Sequence, residues 1–307
     1  MTSAPMKKLW RRSLRCALAI AFIGFAASWF VAGTLVAPSR RVIGPPPQDL
    51  SANSIQLESD SGAMIAGWHL NSDRAEGVIV LLHGIRGSRL SMLGRGRELF
   101  AAGYSVILVD LQAHGESGGE NITIGHLEKH DVLAAVAFAR KQHPAEPIGL
   151  IGVSLGGASA LLAGPLGIDA MVVESVYPEL DAAVRNRVSA RLGPFADLPT
   201  ALLLWQLKPR LGIDSDQLRP IDALSRVGCP ILIAGGLKDL HTTAEETKQL
   251  FSRASEPKEL WMVPGLGHED LFEGASEEYR EHVFAFLDRE MGGAKKIRSF
   301  SPGGGIP

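Results

Sequence analysis

The hydrophobic residues of this chain fall into short apolar runs that alternate with longer stretches of helical periodicity. A hairpin pattern opens the series, with alternating positions on both sides of the polar turn at residues 59–62. Continuous apolar strands between amphipathic helices are typical of a mainly parallel sheet covered on both faces, so the pattern predicts an α/β fold. The predicted strands cover residues 54–58, 64–70, 77–82, 104–110, 148–153, 170–174, 230–234 and 258–263.

One long stretch, at about residues 176–228, interrupts this alternation. It is far longer than an ordinary connection between a strand and a helix. It contains two helical patterns, at residues 178–192 and 198–211, and the second is apolar around more than one face. We predict a helical cap, whose apolar face would line an acyl pocket, contact a membrane or pack on the core.

Residues 16–37 contain no charged side chain, and 22 residues are enough to cross a bilayer as a helix. Five basic residues precede this segment, so the positive-inside rule predicts a cytoplasmic N-terminus and an extracytoplasmic domain. The alternative is a signal peptide cleaved after Ala37, which would give a secreted protein.

The domain organisation predicted from these features has five parts. A basic cytoplasmic segment, 1–15, is followed by the membrane anchor, 16–37, and a proline-rich linker, 38–50. The α/β domain, 51–291, contains the cap, and the glycine-rich residues 292–307 are predicted to be a disordered tail.

Charge and composition exclude several functions. Taking the five N-terminal positive charges from a formal net charge of −2 leaves −7, so the domain has no overall attraction for nucleic acid. Two cysteines imply no disulfide framework, and nine scattered histidines without an H-E-x-x-H motif predict no metal. We expect no organic cofactor either, and the sequence leaves the oligomeric state open.

Candidate chemistry centres on Gly152-Val153-Ser154-Leu155-Gly156, which fits G-x-S-x-G. In that motif a serine lies on a strained turn between a strand and a helix, and the glycines allow neighbouring backbone to approach. The alternative is a serine that only caps the helix.

Asp239 and His268 also follow predicted strands, and the carboxyl ends of parallel strands lie at one edge of a sheet. The order serine, aspartate, histidine is the one expected for this kind of hydrolase. Ser154 would be the nucleophile, His268 its base and Asp239 the acid that orients the histidine. Glu174 is the alternative acid, and His241 and His282 are alternative bases.

His83-Gly84 follows another strand, and we expect His83 to brace the loop there. The backbone N–H groups of Leu155 and Ile85 are predicted to stabilise the oxyanion, with Gly84 or Arg86 as alternatives to Ile85.

The chain resembles the α/β-hydrolase superfamily from about residue 51 to 291, and most closely its serine aminopeptidase and monoacylglycerol-lipase-like branch. Five blocks carry the resemblance: L-L-H-G-I-R-G-S at 81–88, D-L-Q-A-H-G-E-S-G-G at 110–119, G-V-S-L-G-G at 152–157, G-G-L-K-D at 235–239 and G-L-G-H at 265–268. The second block has Gln112-Ala113 where the family usually has Arg-Gly. The resemblance implies an eight-stranded sheet whose second strand is antiparallel.

The function expected from these residues is that of a membrane-anchored serine hydrolase. It would cleave a small-molecule or lipid carboxylic ester through an acyl-enzyme. A thioesterase or a serine aminopeptidase would use the same three residues, and a non-catalytic binding protein of this fold is the alternative outside enzymes.

Overall fold

A computed structural model describes residues 4–74 and 76–292 of the chain. Eight strands form the central sheet, so each of the predicted strands is present. They are β1 (Ala52–Glu58), β2 (Met64–Leu70), β3 (Val78–Leu82), β4 (Ser105–Val109), β5 (Ile148–Val153), β6 (Ala170–Glu174), β7 (Ile231–Gly236) and β8 (Lys258–Val263).

The strands lie in the order β8-β7-β6-β5-β3-β4-β2-β1. Strand β2 runs antiparallel to both of its neighbours, β1 and β4, while the other pairings are parallel. This confirms the α/β-hydrolase fold with an antiparallel second strand. In the register of β3 with β5, Leu82 lies opposite Gly152. The residues that follow these two strands therefore begin side by side.

Helices cover both faces of the sheet. Val78, Val80 and Leu82 of β3 pack into one hydrophobic core, and Ile79 and Leu81 pack into the other. This follows from the period of two along a strand, and it explains why the buried strands are apolar at most positions on both faces. The helices of the domain outside the insertion are α2 (Leu93–Ala102), α3 (Glu128–Gln142), α4 (Leu155–Leu162), α8 (Ala244–Arg253), α9 (Leu271–Gly274), α10 (Ser276–Tyr279) and α11 (Ala285–Glu290).

The long insertion lies between β6 and β7. It contains three α-helices, α5 (Leu180–Leu192), α6 (Asp197–Trp205) and α7 (Leu207–Leu211). Leu207 is buried and Leu204 packs against the same core, but Leu198 and Trp205 are 70% and 58% exposed. Only part of the apolar surface of this insertion is therefore buried against the core.

The chain begins with one continuous helix, α1 (Ala4–Val36). Its segment Leu9–Val36 is long and apolar enough to cross a membrane, and only 6% of its most apolar window is buried. Such a helix fits either a membrane anchor or a signal sequence. Its last turns contact the insertion: Phe25 packs against Trp205, and Gln206 donates to the Ser28 hydroxyl across 2.9 Å.

The segment predicted as a linker is hydrogen-bonded to the domain over its first half. Ser39–Arg40 pairs in parallel with His114–Gly115. The N–H groups of Ile43 and Gly44 both donate to the Glu116 carboxylate across 2.9 Å. Of the segments predicted at the two termini, residues 1–3 and 293–307 lie outside the described residues.

Candidate active site

Ser154 lies at the sharp turn between β5 and α4. Its backbone adopts φ 49° and ψ −108°, a conformation that costs energy for a residue with a side chain. A Cβ atom on Gly152 would come within 2.6 Å of Gly157, and one on Gly156 within 2.5 Å of the Leu82 carbonyl oxygen. The two glycines of the motif are therefore required by close backbone packing, as G-x-S-x-G predicts.

His268 and Asp239 approach this serine from the loops after β8 and β7. Nε2 of His268 lies 3.4 Å from Oγ of Ser154, and Nδ1 lies 2.7 Å from Oδ2 of Asp239. Because a carboxylate only accepts hydrogen bonds, Nδ1 is the nitrogen that carries the proton in the neutral ring. Nε2 is thus left as the acceptor that faces the serine hydroxyl.

Asp239 is buried and accepts four hydrogen bonds. Oδ1 accepts the N–H groups of His241 and Thr242, and Oδ2 accepts His268 Nδ1 and the Thr242 hydroxyl. Burial by itself would raise the pKa of Asp239, but the hydrogen bonds from His268 and Thr242 outweigh it and lower the pKa to about 2. Asp239 is therefore ionised at neutral pH.

The side chains of Asp239, His241 and His268 carry ligand-type atoms within 4.8 Å of one another, an arrangement that a metal ion sometimes occupies. Two carboxylate oxygens offer about four acceptor sites, and the four hydrogen bonds to Asp239 occupy them. A metal ion here would have to displace the hydrogen bond that orients His268. The donor set therefore fits a hydrogen-bonded triad better than a metal centre.

The loop after β3 lies against the serine. A Cβ atom on Gly84 would be 3.6 Å from Cβ of Ser154. Next to it, Nε2 of His83 accepts the Leu111 N–H across 3.0 Å, so Nδ1 carries the proton and donates to the Gly84 carbonyl across 2.7 Å. Both nitrogens of His83 are therefore used in holding the loop, as expected from the sequence.

The two predicted oxyanion donors lie next in sequence to Ser154 and Gly84. Leu155 is the first residue of α4, and N–H groups at a helix start point away from the helix towards its N-terminal side. Ile85 directly follows Gly84, and its side chain is 41% exposed. Leu155 thus follows Ser154, and Ile85 follows Gly84, the residue that lies against Ser154.

The alternative acid and bases are engaged elsewhere. Glu174 is buried in an ion pair with Arg95 at 2.8 Å and accepts the Tyr279 hydroxyl. His282 stacks on Trp261 with ring centroids 5.1 Å apart. His241 lies beside His268, with the two rings tilted by 60° and their centroids 5.1 Å apart, but it is His268 that contacts the Ser154 hydroxyl. Among the candidates, Asp239 and His268 are the pair that the fold brings to Ser154.

Sequence reasoning did not identify Thr242. Its hydroxyl donates to Asp239 Oδ2 across 2.6 Å and lies 3.4 Å from His268 Nδ1. The only available signal was its position three residues after the aspartate, and threonine is common in loops. The next residue, Thr243, has a structural role instead: it caps α8 by accepting the Glu246 N–H.

Comparisons with known proteins indicate the family that the chain resembles. A family model described as serine aminopeptidase, S33, matches residues 73–191. The chain is 26% identical over 248 residues to the uncharacterized protein YqkD of Bacillus subtilis, covering 78% of this chain and 81% of that protein. It is 23% identical over 295 residues to YfhR of Escherichia coli, covering 92% of this chain and 96% of that protein.

Solved structures are similar as well. An esterase of Pyrococcus furiosus superimposes with a TM-score of 0.70 at 24% identity, covering 84% of this chain and 99% of that one. An α/β hydrolase of Penicillium, GrgF, has a TM-score of 0.63 at 19% identity, covering 79% of this chain and 100% of that one. The chain therefore has the fold of the α/β-hydrolase superfamily, and the matched family and relatives are what it is similar to. Within that superfamily it resembles the serine aminopeptidase branch.

Proposed function

We propose that this protein is a serine hydrolase that cleaves a carboxylic ester through an acyl-enzyme on Ser154. The observation that carries the proposal is the continuous line of contacts from Ser154 Oγ through His268 to Asp239, at 3.4 Å and 2.7 Å. A serine hydroxyl is a weak nucleophile until a base removes its proton, and a histidine held by an ionised carboxylate is suited to that task.

In the first half of the reaction, Oγ of Ser154 attacks the acyl carbon while Nε2 of His268 takes the hydroxyl proton. The carbonyl electron pair moves onto oxygen and gives a tetrahedral oxyanion. Collapse of this intermediate breaks the bond to the alkoxy group, which leaves as an alcohol after taking the proton from His268. Asp239 stabilises the imidazolium between these two proton transfers.

In the second half, water replaces the alcohol. His268 takes a proton from the water, whose oxygen attacks the acyl carbon of the acyl-enzyme. Collapse then breaks the acyl bond to Ser154, and Oγ recovers its proton from the imidazolium. The products of the whole reaction are an alcohol, a carboxylic acid and free enzyme. Ester and water account for all of their atoms, so the reaction includes no redox step.

The N–H groups of Leu155 and Ile85 would stabilise both oxyanions. A single such donor typically contributes about 3 kcal/mol to the transition state. The contact of Gly84 with Ser154 supports this assignment because it brings the loop that contains Ile85 to the nucleophile.

We further propose that the substrate is a lipid or other acyl ester. An open apolar groove lies between the end of α1 and the insertion. Twelve of the described residues line it, and among these twelve Arg210 is the only charged one. Since one wall of the groove belongs to an apolar helix of membrane-spanning length, an acyl chain from the bilayer is the occupant that fits it.

An ester is favoured over a thioester or a peptide by the similarity to the esterase of Pyrococcus furiosus. The α-amino group of an aminopeptidase substrate is a cation, and a cation in an apolar groove needs an acidic partner. None of the described residues that line the groove is acidic.

For localisation, we propose that α1 anchors the protein with its N-terminus in the cytoplasm and its catalytic domain outside. Five basic residues precede the apolar segment, which supports this orientation. Trp205, exposed on the insertion, would then face the bilayer, because it packs against Phe25 within the apolar segment.

Covalent labelling tests the proposed chemistry. Full-length protein in detergent is treated with a fluorophosphonate, and the modified residue is identified by peptide mass spectrometry, with Ser154→Ala as the control. We expect labelling at Ser154 and ester hydrolysis that Ser154→Ala abolishes. A folded wild-type protein with neither property would overturn the proposal in favour of a non-catalytic binding protein. Esters of short and long acyl chains then test the substrate class.

A further inference from the structure

The C-terminal end of helix α1 is held by the catalytic domain. The last carbonyl groups of a helix have no partner within it. Here the Val36 carbonyl accepts the Ile122 N–H across 2.8 Å. The Thr34 and Leu35 carbonyls accept the guanidinium group of Arg86. Because the end of a helix carries partial negative charge, a cation at this position is favourable.

Arg86 also belongs to the loop that lies against Ser154. It directly follows Ile85, and the Gly87 N–H closes a turn onto the Gly84 carbonyl across 3.0 Å. Its backbone has φ 60°, which a residue with a side chain seldom adopts without support from its surroundings. The contacts that Arg86 itself makes add to the support that this turn receives from the hydrogen bonds of Gly87 and His83.

Those contacts lead to the helix end and the segment that follows it. The Arg86 side chain binds the end of α1, as described above. Its own carbonyl accepts the Arg41 guanidinium across 3.0 Å and the Ser39 hydroxyl across 3.4 Å. The side chain and the backbone carbonyl of Arg86 are thus both hydrogen-bonded to residues 34–41.

We propose that Arg86 is a positioning residue that couples helix α1 to the oxyanion loop. The inference rests on the proposed function, and it adds that the helix end sets the position of the Ile85 N–H. Loss of the side-chain contact leaves the strained turn free to relax, so the N–H no longer points at the oxyanion. Cleavage after Ala37 would remove the acceptors of Arg86, so the coupling also requires that α1 is retained.

The test uses full-length protein in detergent and the variants Arg86→Gln, Arg86→Lys and Arg40→Gln. Arg40 is the matched control because its guanidinium also binds a backbone carbonyl, that of Gly119 at 2.8 Å. That carbonyl belongs neither to α1 nor to the oxyanion loop. We measure kcat and KM for an ester, the thermal midpoint, and hydrogen exchange of the peptide that covers residues 83–91.

For Arg86→Gln we expect kcat to fall about tenfold while KM stays within about twofold, since a misplaced donor acts on the transition state. Exchange across residues 83–91 should become faster, and Arg86→Lys should recover part of both properties. Arg40→Gln should match the wild type in each. Wild-type kcat and exchange in Arg86→Gln, or an equal loss in Arg40→Gln, would overturn the coupling.

If Arg86→Gln does not fold, Ala32→Phe gives the same test with Arg86 intact. Ala32 is 6% exposed where α1 meets the domain, so a larger side chain pushes the helix away. Because Ala32 also lines the apolar groove, the readout for this variant is hydrogen exchange alone: the coupling requires faster exchange at residues 83–91, and unchanged exchange contradicts it. A wild-type protein no more active than Ser154→Ala would refute the proposed function alone, because hydrogen exchange still reports whether the helix holds the loop.

Discussion

Nδ1 of His268 donates to Oδ2 of Asp239 across 2.7 Å, although 29 residues separate them in the chain. The two residues lie on the loops that follow β7 and β8, which are parallel neighbours in the sheet. This one contact fixes the tautomer of His268 and leaves Nε2 facing Ser154. The proposed chemistry depends on it.

Replacing Asp239 by asparagine should remove most of the activity without unfolding the protein. The asparagine amide offers an N–H in place of a carboxylate oxygen, which favours the wrong tautomer of His268. In a serine protease triad the same change costs about 10⁴ in kcat, and we expect a loss of about 10³ to 10⁴ here. Steady-state kinetics measure it, and the thermal midpoint is the control. A loss below about tenfold would argue against Asp239 as the acid.

The two neighbouring threonines should separate activity from stability. Thr242→Val removes the hydroxyl bond to Asp239, so we expect kcat to fall about tenfold. Thr243→Val removes the cap of α8 and should lower the free energy of unfolding by about 1 kcal/mol with kcat unchanged. Kinetics and denaturant unfolding on both variants test this. The reverse assignment, with kcat lost only in Thr243→Val, would contradict the proposed role of Thr242.

Gly156→Ala should strongly destabilise the domain. The added Cβ would lie 2.5 Å from the Leu82 carbonyl oxygen, and backbone there has little room to shift. We expect a cost of about 3 kcal/mol, at the upper end for overpacking. Gly267→Ala is the control, because its Cβ would meet nothing closer than 3.6 Å. Equal thermal midpoints for the two variants would show that the elbow is less tightly packed than described.

Acid should destabilise the fold through buried histidines. Burial, and next the charge of His143, lower the pKa of His69 to about 4. Burial lowers the pKa of His83 to about 3. An unfolded histidine titrates near 6.5, so from about pH 6.5 down to about 4 the unfolded chain binds protons that the folded chain does not. The free energy of unfolding must therefore fall as the pH falls through this window.

His69→Gln isolates one part of this effect. His69 lies on β2, with its Nε2 3.0 Å from Nε2 of His143 and away from the candidate site. In the variant, the number of protons taken up on unfolding between about pH 6.5 and 4 should be smaller by up to about one. Its ester hydrolysis at neutral pH should be unchanged. Denaturant unfolding at several pH values measures the slope. A slope equal to that of the wild type would mean that His69 titrates normally in the folded protein.

Much of the fold follows from local sequence. The buried strands are apolar at most positions because helices cover both faces, and these apolar runs can be recognised in the sequence. Gly152 and Gly156 flank the serine because a Cβ atom at either position would collide with backbone. Such features depend on a few neighbouring residues, so a single sequence is enough to predict them.

Other features were open in the sequence. Glu174 and Asp239 lie at or just after the ends of strands. They are distinguished by long-range contacts: Glu174 pairs with Arg95, 79 residues away in the chain, whereas Asp239 accepts the hydrogen bond of His268. Thr242 had no recognisable signal because its partner is set by the folded loop. The catalytic roles of Ser154 and His268 remain predictions that the labelling experiment tests.

By itself, the sequence determined the eight strands, the strained serine turn, the apolar N-terminal helix and the candidate residues at the strand ends. The tertiary structure decided which acid meets His268, that Thr242 completes the site, and that the end of α1 binds Arg86. The physical reason is the distance along the chain between the residues that interact. Periodicity and glycine placement are set by neighbours along the chain, whereas these contacts join residues brought together by strand register and by the docking of α1 against the domain.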